Sequence, residues 1–249
     1  MSNSIILCEG STDYALLQYY MQKAYSWEDC TEGGYHYDGQ KSRLLKKEER
    51  FLTIAPSGGC KKLSSEFKDV LERNLVADKS ELFDKIVIVT DNDDSAEREN
   101  VLHGIHEVIA NFDSRVEEIV NDSWSKFILY RQISPFEHQC EVLPLIIPFD
   151  TEGAMETFLL KALAESNEYD KTLVEKSNVF VEEVAAICNP NKEEDYLKHR
   201  RYRTKAKFDV YFSIRTPAEQ FNKRRDIIKD VPWEKYVTIQ KCFNELGQL

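Results

Sequence analysis

Lys85-Ile-Val-Ile-Val-Thr-Asp-Asn-Asp-Asp94 decides the fold. Four consecutive β-branched residues, then threonine, suit a strand buried on both faces, and the run stops abruptly at carboxylates. A second stretch repeats the design: Ile5-Ile-Leu-Cys-Glu-Gly-Ser-Thr-Asp13 runs from apolar residues into Glu9, Gly10 and Asp13. Apolar strands that end in acids deliver them to the C-terminal edge of a parallel sheet, where open α/β sheets bind ligands. Carboxylates converging there repel one another unless a divalent cation stands between them.

Between and beyond these runs the pattern alternates strand with helix. Ile5–Cys8 reads as the first strand, with Ser11 or Thr12 as N-cap of a helix from Asp13 to about Ala24. Residues 25–50 lose this pattern and read as an insertion, a hairpin with a turn at Glu32-Gly33-Gly34-Tyr35. Phe51–Ala55 is the second strand. A helix over 61–76 carries Leu63, Phe67, Val70 and Leu71 on one face. After the Lys85–Thr90 strand, apolar spacing predicts one long helix over 96–121. Phe127–Tyr130 and Leu145–Phe149 are further strands joined by a loop with Pro135 and Pro144, and Ala154–Leu163 is helical. The expected fold is a mainly parallel α/β sheet flanked by helices over residues 1–165, with a helical C-terminal extension over 166–249 packed on it.

Composition narrows the function. With 42% hydrophobic residues and 11% aromatics among 249, the chain can bury an ordinary core. Its formal charge of −11 argues against coating nucleic acid nonspecifically, because that binding neutralises phosphates with Lys and Arg. It does not exclude a nuclease, whose metal-binding residues are themselves acidic. The six cysteines are scattered without a Cys-x-x-Cys pair, which fits a reducing cytoplasm. The longest mainly apolar run, 142–149, contains two prolines and is too short for a bilayer, so no membrane association is expected.

Asp91 and Asp93 stand two apart, so in extended backbone they face one side; Glu9 would lie on a neighbouring strand end, with Gly10 permitting close approach. Mg2+ or Mn2+ suits this oxygen set. An isolated Asp-x-Asp is equally an ordinary solvated turn, and Asp13 in a first helical turn ordinarily compensates the helix dipole; two strand-end acidic motifs in one chain favour the site. Pro56-Ser-Gly-Gly-Cys-Lys-Lys62 enters a helix from a strand, so Gly58, Gly59 and Lys61 form either a phosphate cradle or a tight turn. The spacing is not a Walker A loop. Lys198, Arg200, Arg201, Arg203, Lys205 and Lys207 are a basic island, read as a solvated face or a phosphate-binding stripe, which Lys223, Arg224 and Arg225 extend in sequence. His103 and His106 lack a third ligand and read as surface residues.

Glu9-Gly10-x-x-Asp13 after a first strand, with Asp91-x-Asp93 after a third, resembles the Toprim domain, a Rossmann-like fold. The likeness is greatest to small stand-alone Toprim proteins related to the overcoming-lysogenization-defect (OLD) nucleases. Gly153-Ala-Met-Glu-Thr-Phe-Leu-Leu160 is similar to a helix start that supplies Glu156, and Thr204-Lys-Ala-Lys207 to a late lysine motif. The resemblance implies metal ligation by Glu9, Asp91 and Asp93, with Asp13 and Glu156 auxiliary. It implies acid/base work for Glu9, charge stabilisation by Lys205 or Lys207, and substrate contacts at Gly10, Gly58, Gly59, Lys61, Arg201 and Arg203. It also implies a nucleic-acid substrate, DNA ahead of RNA, and a separately encoded ATPase or defence-system partner. One departure concerns the loop: Asp91-Asn-Asp-Asp-Ser-Ala96 lacks the glycine that many members carry, and Asp94 reads as a helix N-terminal acid. Two other readings stay open. One is a catalytically silent Toprim module binding nucleotide or a partner; the other is a haloacid-dehalogenase-like phosphatase with Asp91 as nucleophile and Asp93 as acid, although that family places its Asp-x-Asp after the first strand.

Overall fold

The computed structural model describes residues 2–31, 42–93, 95–130, 137–187, 196–216 and 228–249. Seven strands form one sheet: β1 (Ser2–Cys8), β2 (Glu28–Asp29), β3 (Arg43–Lys47), β4 (Arg50–Pro56), β5 (Phe83–Asp91), β6 (Ser125–Tyr130) and β7 (Glu137–Ile147). Their order is β2-β3-β4-β1-β5-β7-β6. The four inner strands, β4, β1, β5 and β7, are parallel; β2, β3 and β6 are antiparallel additions at the two edges. Parallel strands buried on both faces explain the unbroken apolar runs.

Residues of opposite parity along β1 and β5 feed two separate apolar layers. Ile5, Leu7, Ile86 and Ile88 pack with α2 (Cys60–Val76) and α3 (Ser95–Ala110). Ile6, Cys8, Val87 and Val89 pack on the other face with α1 (Ser11–Tyr25), α4 (Met155–Ser166), α5 (Glu168–Ala185) and α6 (Arg200–Arg215). The C-terminal residues Trp233, Ile239, Phe243 and Leu246 belong to this same layer. The extension beyond 165 therefore shares one continuous core with the sheet. Among the described residues no helix is long and apolar enough to cross a membrane.

Three local expectations change, and one holds in part. The residues read as an inserted hairpin supply β2 and β3, which pair antiparallel with each other, and β3 also pairs antiparallel with β4 across a two-residue turn in which Glu48 takes positive φ; the turn expected at 32–35 lies outside the described residues. The helix expected over 96–121 ends at Ala110. Asp113 accepts from the amides of Arg115 and Ile128, and the periodic Val116 and Ile119 pack from irregular backbone. Apolar spacing reported burial correctly there, but not helix.

Pro144, expected in a loop, lies inside β7 opposite Ile88. Proline is tolerated because β6 pairs no further along β7 than Val142, so the missing N–H faces an edge that β6 leaves open. Asn121 closes the rest of that edge by bonding both the amide and the carbonyl of Ile146. Finally, the N-cap of α1 is Gly10, not Ser11 or Thr12, and Asp13 reaches back to accept from the Gly10 amide at 2.8 Å.

Candidate active site

The register between β1 and β5 pairs Cys8 with Val89, which sets Glu9 beside Thr90. The Glu9 amide donates to the Val89 carbonyl at 3.1 Å, and its carboxylate Oε2 accepts from Thr90 Oγ1 at 2.7 Å and the Asp91 amide at 3.4 Å. Asp91, the last residue of β5, accepts at Oδ1 from the Met155 amide at 2.8 Å. Ala154, the N-cap of α4, offers no side-chain acceptor, so Asp91 caps that helix from another strand.

Asn92 fixes the loop that brings α4 into place. Its amide donates to Ile147 O at 2.8 Å, its carbonyl accepts from Gly153 N at 2.7 Å, and its Nδ2 reaches Pro148 O and Thr151 O. This clamp ties the ends of β5 and β7 together and places Glu156 in the first turn of α4, next to α1. Glu156 Oε1 accepts from Thr12 Oγ1 at 3.1 Å. Both Asp13 and Glu156 are buried, each about 4% exposed, in the same acidic neighbourhood.

Burial pushes the Asp13 carboxyl up to about 7, with the charges of Glu9 and Glu156 adding to the rise; the Gly10 amide and Lys205 oppose it. Asp91 is likewise held well above the ordinary carboxylate range, by burial first and then by Asp13 and Glu9. The cluster thus carries the mutual repulsion that converging strand ends create.

Helix α6 supplies the opposite charge. Phe208, Tyr211 and Phe212 bury its C-terminal half, and the Tyr211 hydroxyl donates to Asp170 Oδ1 at 2.6 Å. Anchored there, the helix projects its first turns over the acids. Glu9, Asp91, Asp93 and Glu156 line one wall of a cleft of about 450 Å³, and Arg200, Arg201, Thr204 and Lys205 line the other. Arg200 also donates to the Asp93 carbonyl at 2.9 Å and stands 3.8 Å from Glu152.

Other expected residues are placed elsewhere. Lys207 pairs with Glu182 at 2.6 Å, and Arg203 pairs with it at 3.6 Å. Both line an adjoining cleft of about 540 Å³ with Lys198 and Arg200. Gly58 and Gly59 take positive φ (77° and 133°), which glycine adopts without strain, and the Gly59 amide donates to Glu9 O at 3.0 Å. Their loop therefore buttresses Glu9 through backbone, while Lys61 is exposed on α2 away from the cleft lining. Asp94, Lys223, Arg224 and Arg225 lie outside the described residues. His103 is exposed and 3.6 Å from Glu107.

Sequence reasoning assigned no role at the acids to Asn92, Thr12 or Thr90: it read Thr12 as an N-cap candidate and Thr90 as a strand end, whereas their bonds orient the acids. Asn92 sat in view as the middle residue of Asp-x-Asp, where an amide in place of a third acid was the available signal.

The oxygen-only donor set suits a hard divalent cation. Among the described residues no three His, Cys, Asp or Glu side chains stand together so as to enclose an ion. The Glu9 and Asp91 carboxylates, each engaged at one oxygen, Oε2 and Oδ1, both line the cleft.

Fold and cleft together define a mixed α/β protein whose parallel strands gather acids at their C-terminal edge against a basic helix. The chain belongs to the family DUF3226, a protein family of unknown function, whose model matches residues 3–237. A crystal structure of the hypothetical protein PH0156 from Pyrococcus horikoshii OT3 shares the fold, with a TM-score of 0.52 at 16% identity, covering 99% of this chain and 100% of that one. No curated protein matches the chain.

Proposed function

We propose that this chain is a Toprim-type, Mg2+- or Mn2+-dependent hydrolase of phosphodiester bonds in nucleic acid, acting in the cytoplasm. The observation that carries this reading is the cleft in which Glu9, Asp91, Asp93 and Glu156 face Arg200, Arg201 and Lys205. Carboxylates alone would repel a polyanionic backbone, and cations alone would bind it without activating water; this cleft has both.

Of the acids lining the cleft, Glu9 and Asp91 would hold the cation, with Asp93 beside them. When bound, it would neutralise the acids, polarise a phosphate oxygen and lower the pKa of a coordinated water. Glu9, held through Oε2 and lining the cleft, would orient the attacking water and accept its proton. Lys205, across the cleft, meets the negative charge that builds on phosphorus-bound oxygens. Arg200 and Arg201 bind phosphate oxygens and so set the position of the strand without reading sequence. Buried Asp13 and Glu156 act as positioning residues through the Gly10 amide and Thr12 hydroxyl.

The test is incubation of purified protein with plasmid, single-stranded DNA and RNA in Mg2+ or Mn2+, beside Asp91→Asn and an EDTA control. Metal-dependent cleavage lost in Asp91→Asn is the expected result. No cleavage of any substrate, together with no divalent-ion binding by calorimetry, would leave a silent binding module. Turnover of a small phosphomonoester through an acyl-phosphate would point instead to the phosphatase reading.

A further inference from the structure

We infer that the two clefts beside α6 form one track for a single-stranded polynucleotide, with Tyr202 as a base-stacking platform at its end; this rests on the hydrolase reading for the chemistry. Successive residues of an α-helix are rotated by about 100°. Arg200, Arg203, Thr204 and Lys207 therefore share one flank of α6, and they line the larger cleft with Lys198. Arg200, Arg201, Thr204 and Lys205 share the next flank and line the acidic cleft. Arg200 and Thr204 belong to both, so the clefts are joined along a common ridge. Continuing around the helix past Arg201 and Lys205 comes Tyr202.

Tyr202 is a large aromatic left 43% exposed. The Arg201 guanidinium lies over its ring, 4.8 Å from the centroid, and the His199 ring meets it edge-on at 5.5 Å. Tyr196, just before Lys198, is 84% exposed. Aromatic rings interleaved with cations are the combination that binds unpaired strands, because every base offers a face to stack and every linkage a charge. In a duplex the base faces are already stacked, and a tyrosine at the rim gains nothing from them.

Charge favours the same substrate. The larger cleft sets Lys198, Arg200, Arg203 and Lys207 against Glu152 and Glu182, a modest cationic surplus in a chain of net −11. Such a strip neutralises few phosphates, so stacking must supply much of the affinity.

The test is fluorescence anisotropy of labelled oligothymidylate, oligouridylate and a duplex oligonucleotide, with wild-type protein in EDTA so that binding is read without cleavage. Both single strands should bind tighter than the duplex. Tyr202→Ala should weaken that binding roughly fivefold or more, the loss of one stacked base. Arg203→Ala with Lys207→Ala should flatten its salt dependence. Duplex binding equal to or tighter than single-strand binding, or a folded Tyr202→Ala that binds as wild type does, overturns the track. Cleavage in Mg2+ is measured in parallel. Cleavage without strand preference removes the track and leaves the hydrolase; strand preference without cleavage removes the hydrolase and leaves the track.

Discussion

The Asp91 carboxylate at the end of β5 caps helix α4 by accepting from the Met155 amide, 2.8 Å away. One side chain therefore completes a helix and faces the acidic cleft, which ties the placement of Glu156 to that of Asp91. Asparagine at 91 keeps an acceptor for Met155 but loses the charge. Asp91→Asn should melt within a few degrees of wild type and lose metal-dependent cleavage to background, whereas Asp91→Ala should also lose about 1 kcal/mol of stability through the missing cap. Thermal melts followed by circular dichroism, beside the cleavage assay, separate the two effects.

Asp13 sets a pH dependence. Its carboxyl is raised from 3.8 to about 7 in the folded chain, so between those values the native state keeps a proton that the unfolded state has released. Stability from this group is greatest below pH 4, falls as pH rises towards 7, and is gone above it. In EDTA, Asp13→Asn should be more stable than wild type at pH 8, and the advantage should vanish towards pH 4. A matching pH series of melting temperatures checks the sign.

Lys205 and Lys207 are two residues apart but occupy different clefts. Lys205→Ala should lower kcat by about 10²–10³. Lys207→Ala should act chiefly on KM and its salt dependence, because its amine pairs with Glu182 outside the acidic cleft. Steady-state kinetics at two salt concentrations distinguish them.

Phe208, 1% exposed, joins α6 to the layer that also covers β1 and β5. Phe208→Ala should cost about 3–5 kcal/mol and lower a single cooperative transition for the whole chain. Two separated transitions in a urea titration would instead mark the extension as an independent unit.

The strand-end acids were legible because a buried parallel strand needs an unbroken apolar run, and Ile86–Val89 and Ile5–Cys8 supply it. The helices α2 and α4 were legible for the matching reason, one apolar face at helical spacing. The end of α3 was not: Val116 and Ile119 continue a helical spacing, while the backbone around them is held by hydrogen bonds that Asp113 accepts, which spacing does not encode. Pro144 argued locally for a loop, and only the pairing of β6 and the Asn121 side chain show why a strand accepts it.

By itself, the sequence determined that Glu9 and Asp91 would end strands, because apolar periodicity and the position of the first charge are local properties. Which acids and cations meet was decided only by the tertiary structure. The Asn92 clamp turns α4 towards α1 and so delivers Glu156, and the burial of Phe208, Tyr211 and Phe212 aims Lys205 at the carboxylates while leaving Lys207 outside. Those placements depend on contacts between residues far apart in the chain, and helical rotation between positions 205 and 207 separates two lysines that the sequence presents as a pair.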